Sequence, residues 1–111
     1  MAVSTGFSEL SAKVAKYSDV NSAAASIDQI AAVTGKKIRI IAGVIHTSAA
    51  GALIFNSAST AIGRYTSTAG ELTITLPWNP DGWFQTVAGE KFNIGNAGTV
   101  TLTGFLTYVE V

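Results

Sequence analysis

The chain contains no cysteine, which removes disulfide staples, thiolate catalysis and sulfur-ligated metals. It leaves the redox compartment open. Charge is also scarce. Seven basic and seven acidic residues cancel, and only 13% of the 111 positions are charged, against about 25% in an ordinary soluble domain. The balance excludes a global field that would draw the chain toward nucleic acid or an anionic membrane. No apolar run approaches the ~18 residues of a membrane span, and Arg39 and His46 bracket the longest one. The opening MAVSTGFSELSAKVAKYS carries Glu9 early and has no continuous apolar core, so it does not read as a secretory signal. Synthesis in a cytosol is the expectation.

A chain of this length forms one domain, burying roughly two-thirds of the surface its unfolded form exposes. So few charges leave two ways to clothe it. Either another copy or a partner covers part of the surface, in keeping with the depletion of charge at interface cores, or Thr, Ser, Asn and Ala make up the exposed faces.

Chemistry-bearing clusters are as sparse as charge. The single histidine, His46, falls on a strand face that the alternation turns inward, where a packed, hydrogen-bonded role is expected. Gly-x-Ser-x-Gly is absent. The carboxylates Glu9, Asp19, Asp28, Glu71, Asp81, Glu90 and Glu110 are scattered singly, so neither a metal site nor a glycosidase pair can be assembled from spacing. Gly35-Lys36-Lys37 lacks the rest of a phosphate loop and reads as a β-turn. The expectation is a non-enzyme with no catalytic residues, no metal and no cofactor.

What the chain does have is regular punctuation. TGKK at 34–37, TSAAG at 47–51, NSAS at 56–59, STAG at 67–70, NPDG at 79–82, AGE at 88–90 and GNAG at 95–98 separate short apolar runs. This pattern predicts an all-β sandwich or barrel over residues 12–111, preceded by an arm of small polar residues over 1–11. In the run 71–76, Leu72, Ile74 and Leu76 point inward and Glu71, Thr73 and Thr75 outward. Leu53 and Phe55 share one face of the preceding run. In the last strand, 99–111, Val100, Leu102, Leu106 and Tyr108 share a face, and Phe105, Val109 and Val111 lie opposite. Strands are also expected over 12–17 and 27–33, with a turn opening at Asn21-Ser22.

The strand 37–47 carries isoleucines on both faces, and a sandwich buries only one face of each sheet. Ile41 and Ile45 therefore need cover from a sister copy, unless a β-bulge near Ala42-Gly43 shifts the register and turns them inward. Both readings stand on sequence alone.

LPWNPDGW, residues 76–83, holds both prolines and both tryptophans. Asn79-Pro80-Asp81-Gly82 suits a tight turn: Pro80 presets φ, Asn79 and Asp81 bond nearby backbone, and Gly82 accepts a left-handed conformation. Trp78 and Trp83 flank it. They serve either as lids on the core or as a rigid docking knob, where a buried tryptophan is worth ~2 kcal/mol or more. A sugar-stacking platform is a third use, weakened by the lack of polar clusters beside them.

This stretch, continued as Phe84-Gln85-Thr86, then Ala88-Gly89-Glu90 and Gly104-Phe105-Leu106-Thr107-Tyr108-Val109, resembles small structural proteins of tailed bacteriophages. So does Ala31-Ala32-Val33-Thr34-Gly35-Lys36-Lys37-Ile38-Arg39-Ile40 upstream. The family it looks like is the capsid decoration, or cement, proteins, which are trimeric jelly rolls similar to tumour-necrosis-factor folds. The likeness spans about residue 12 to the C-terminus, and each motif is mainly turn chemistry. It implies an antiparallel jelly-roll β-sandwich, a homotrimer, the major capsid protein as partner, and a place on the outer surface of the virion. A receptor- or glycan-binding module of a phage fibre or tail is the alternative. Phe7, Leu10, Ile41, Ile45, Trp78, Trp83, Phe105 and Val109 are the candidate oligomer or capsid contacts, Phe7 and Leu10 by way of an arm that orders on binding.

Overall fold

The computed structural model describes residues 14–96 and 100–111. Among these residues every regular element is a strand. In chain order they are β1 (Lys16–Ser22), β2 (Ser26–Ile30), β3 (Ile38–Thr47), β4 (Gly51–Ser57), β5 (Thr60–Ser67), β6 (Leu72–Leu76), β7 (Phe84–Gln85), β8 (Phe92–Asn96) and β9 (Leu102–Glu110). They form two antiparallel sheets. One runs β1-β9-β3-β6, with β7 also paired to β3; the other runs β2-β8-β4-β5.

Alternation along the strands gives each sheet one apolar face, and the two faces meet in a shared core. β1 supplies Val20, β3 Ile38, Ile40 and Ile45, and β9 Leu102 and Leu106. The other sheet supplies Ile30, Leu53, Phe55, Phe92 and Ile94. The result is a sandwich-like all-β domain. Fully burying an apolar side chain of this size stabilises by roughly 1.5–3 kcal/mol. Three phenylalanines span the layers: Phe55 and Phe84 stack with centroids 4.5 Å apart, and Phe92 lies 6.1 Å from Phe55. Phe84 comes from β7 and presses on Gly63 of β5, where a Cβ would collide with its ring.

The bulge reading of the third strand holds, shifted by one residue. β9 pairs Tyr108 with Ile40 and Thr107 with Ala42, leaving Ile41 as the extra residue. An extra residue reverses the alternation beyond it. Ile38 and Ile40 point into the core before it, and Ile45 does so after it. Ile41 and Ile45 are both fully buried within the single chain. The expectation that they need a sister copy is therefore corrected. The same reversal corrects His46, which is partly exposed on the outer face instead of turned inward.

Two strand boundaries also differ from expectation. β1 starts at Lys16 and runs through Asn21 and Ser22, where a turn was expected to open. Pairing of Asn21 with Thr103 and Ser22 with Leu102 extends the ladder and outweighs local turn propensity. The turn chemistry acts later: the Ser22 hydroxyl accepts a 3.1 Å hydrogen bond from the Ala24 N–H. β2 ends at Ile30, before Ala31–Val33.

Gly104 shows how closely β9 approaches β3. Its φ is 132°, and a Cβ there would run into the carbonyl of Val44. Only glycine meets both demands.

Phe92→Ala removes a fully buried ring from the layer-spanning stack and leaves a cavity. A loss of about 3–5 kcal/mol in folding free energy is expected, measured by urea unfolding followed by far-UV circular dichroism.

Candidate functional site

The outer face of the first sheet is built by cross-strand rows, since directly paired residues share a face. One row reads Asn21, Thr103, His46, Thr73; the next Asp19, Phe105, Val44, Thr75; the third Tyr17, Thr107, Ala42. Asp19 is the one carboxylate in these rows. Tyr17 is 66% exposed and Phe105 39%, and their rings stack 5.9 Å apart. Threonines recur along these rows. The same face nevertheless carries an exposed aromatic pair beside Val44 and Ala42.

At the edge of this sheet, β6 and β7 run in the same direction against β3, β6 along Gly43–Thr47 and β7 along Arg39–Ile40. They are two parts of one edge strand. Residues 77–83 are the excursion between them, opposite the bulge. The Asn79 N–H donates to the Ile41 carbonyl and the Trp83 N–H to the Ile40 carbonyl, each at 2.8 Å. The Trp83 indole N–H donates to the Pro77 carbonyl at 2.7 Å, closing the neck. Gly82, at φ 88°, accepts the left-handed corner, and its N–H returns to the Asn79 carbonyl. Arg39 reaches from β3 to the Gln85 side chain at 2.8 Å. The turn is thus anchored to the strand at several points, and it presents Trp78 at 59% exposure and Trp83 at 44%. Neither indole is a core lid.

The predicted contacts separate accordingly. Trp78, Trp83 and Phe105 are exposed; Ile41, Ile45 and Val109 are fully buried in the single chain and are not available as surface contacts. Val109 shares its row with Arg39. Phe7 and Leu10 lie outside the described residues. Tyr17 was missed, although its alternation with Asp19 and Asn21 along β1 is a signal for an outward aromatic.

His46 meets groups its spacing did not suggest. Its Nδ1 is 3.1 Å from Thr73 Oγ1 and its Nε2 is 3.2 Å from Glu71 Oε1. Hydroxyl, imidazole and carboxylate in series have the connectivity of a nucleophile–base pair with an orienting group. Among the described residues the series lies open on the sheet, with Glu71 70% exposed at its side chain. Among the described residues no three His, Asp or Glu side chains come together as a metal site.

The outer face of the second sheet is polar. Asn93, on β8, is buried and donates to Ser26 Oγ at 3.0 Å and to Asp28 Oδ1 at 2.9 Å. It accepts from the Asn56 amide at 3.0 Å. Lys91 Nζ lies 3.0 Å from Asp28 Oδ1. The Asn93 hydrogen bond, then the Lys91 contact, hold the Asp28 carboxyl below its ordinary range. Ser26 with Asp28, and Lys91 with Asn93, lie two apart in sequence, but the two pairs and Asn56 meet only because β2, β8 and β4 are neighbours. No family model, curated protein or solved structure matches the chain.

Two outcomes follow from this geometry. Trp83→Phe removes the indole donor from the neck and should cost about 0.5–1.5 kcal/mol in urea unfolding, whereas Trp78→Ala should stay within about 0.5 kcal/mol. A lowered Asp28 pKa means that its contribution to stability is whole above the ordinary Asp value of 3.8 and is lost as the pH falls below it. An NMR titration of the side-chain carboxyl should therefore give a midpoint below 3.8 for Asp28, and Asp28→Asn should flatten that part of the acid-unfolding curve.

Proposed function

We propose that this chain is a structural virion protein of a tailed bacteriophage, a capsid decoration protein that forms a homotrimer and clamps the assembled shell. The observation that carries it is the contrast between the two outer faces. One bears the stacked Tyr17–Phe105 pair among threonine, alanine and valine, with Asp19 the one carboxylate in those rows; the other bears the Asp28–Lys91 pair and the asparagine network. Exposed aromatic residues packed among threonine, alanine and valine are the side chains that interface cores are enriched in, and they support this reading.

A jelly roll is part of the proposal, and strand order supports it. β1/β9, β2/β8, β3/β6 and β4/β5 are all antiparallel pairs, and successive pairs alternate between the sheets. This is the order of one long two-stranded ribbon, its tip at Ala58-Ser59, wrapped into two layers in the manner of jelly rolls. The number three comes from the resemblance to decoration proteins; closed cyclic symmetry is what a single recurring interface patch permits.

In this role the outer face of the first sheet meets sister copies, and the Trp78 turn meets the major capsid protein. A rigid turn presents an indole at little entropic cost. Binding that occurs only on the assembled lattice adds free energy to that state alone and raises its resistance to internal pressure by mass action. Weak contacts suffice because three linked copies engage neighbours already held together. No catalysis is required.

Light scattering of the purified chain should give about three times the 11.4 kDa monomer mass, and Phe105→Asp should reduce it to the monomer without loss of strand signal. A wild-type monomer at micromolar concentration would remove the oligomer from the proposal. Co-sedimentation with empty capsids, abolished by Trp78→Ala in an intact trimer, tests the docking role separately.

A further inference from the structure

The outer face of the second sheet is not flat. Ser26 and Asp28 on β2, Asn93 and Gly95 on β8, Asn56 on β4 and the nearby Lys91 line a shallow groove of about 650 Å³. We propose that this groove binds a neutral saccharide. It lies on the sheet opposite the aromatic face, so the inference does not rest on the oligomer or on the capsid role.

The floor is organised before any ligand arrives. Both N–H groups of the Asn93 amide are engaged, by Ser26 and Asp28, and its oxygen accepts from Asn56. Asn56 in turn donates to the Ile54 carbonyl at 3.3 Å. With the amides fixed, the ligand-facing capacity falls to the second oxygen of Asp28, the other N–H groups of Lys91, the Ser26 hydroxyl proton and the oxygen of Asn56. Acceptors and donors thus alternate over a few ångströms. A hydroxyl both donates and accepts, so adjacent hydroxyls on a sugar ring match this surface, and bonds to the charged pair are the stronger ones.

Charge narrows the class. A phosphate or carboxylate would meet Asp28, and a cation would meet Lys91, which already neutralises the carboxylate at 3.0 Å. An added peptide strand would pair along the open edge of β2, whereas the groove lies over the face and extends across β8 and β4, which are already paired on both sides.

Gly95 is the second observation. Its φ is not in the left-handed region, and a Cβ there would make only ordinary contacts, 3.5 Å from the Asn56 amide nitrogen and 3.6 Å from Ile54. Neither conformation nor packing requires glycine at this position. A strand glycine without such a reason is a place where a ligand can approach the backbone closely. The wall beside it is fixed: Ala58 holds φ 52°, a costly conformation for alanine, and its N–H donates to the Lys91 carbonyl at 2.9 Å.

The test is an NMR titration of the full-length, ¹⁵N-labelled chain with maltotriose, chitotriose and lactose, using inorganic phosphate and a lysine-rich peptide as charged controls. At least one neutral sugar is expected to shift the signals of Ser26, Asp28, Asn93 and Gly95 saturably, with no comparable shift from either control. Gly95→Ala and Asp28→Asn should each weaken that binding roughly tenfold and leave distant signals unmoved. Asp28→Asn changes an exposed side chain, so it carries the test even if Gly95→Ala perturbs the strand. Silence of the groove toward all three sugars, stronger shifts from phosphate or peptide, shifts centred on Trp78, or unchanged affinity in both variants would each overturn the proposal.

Discussion

The one extra residue in β3 is the constraint on which the rest of the structure depends. Ile41 has no partner on β9, and its presence reverses the alternation of everything after it. Ile45 consequently enters the core with Ile38 and Ile40, and His46 leaves it. On the other side of β3 the edge strand breaks at the same place. The carbonyls of Ile40 and Ile41 receive the Trp83 and Asn79 N–H groups, respectively, instead of a continuous ladder. Backbone groups freed by a bulge must be satisfied somewhere, because an unpaired buried carbonyl is costly. The Asn79–Gly82 turn does this, and the two tryptophans flank it. That is why both prolines and both tryptophans sit in one short stretch.

The bulge also shapes the surface. By sending Ala42, Val44 and His46 outward, it completes the cross-strand rows that surround Phe105 and Tyr17. A regular β3 would instead have exposed Ile41 and Ile45 and buried the histidine. The chain thus keeps its isoleucines on this strand inside and leaves a face of threonine, alanine, valine and two aromatics, with Asn21, Asp19 and His46 among them. The opposite sheet solves a different problem. Its hydrogen bonds run along the surface from Ser26 and Asp28 through Asn93 to Asn56, holding side chains in fixed directions over a glycine floor. One sandwich-like domain therefore presents two unlike surfaces, as antiparallel sheets with a single buried face each are able to do.

Much of this was legible in the residues. The alternation of Leu72, Ile74 and Leu76, and of Leu53 and Phe55, identified strands and their inner faces, because the side-chain period of a strand is a property of the backbone alone. The turn at 79–82 was readable for the same local reason. Ile41 and Ile45 advertised a conflict, and a bulge was one of its two solutions. The position of the bulge was readable only to within a residue, since the register is set by pairing with β9, far away in the sequence. Tyr17 and Phe105 stack only because β1 and β9 are neighbours, and nothing near either residue announces the other. His46 gained Glu71 and Thr73 in the same way, across β3 and β6.

By itself, then, the sequence determined what depends on short range: an all-β chain, the inward set of most strands, the rigid corner at residues 79–82, and a surface poor in charge. Tertiary structure alone decided which strands became neighbours, where the register slipped, and so which side chains met across them. The physical reason is that strand pairing is a long-range choice between backbones that look alike locally. One residue of slip turns every later side chain to the other face.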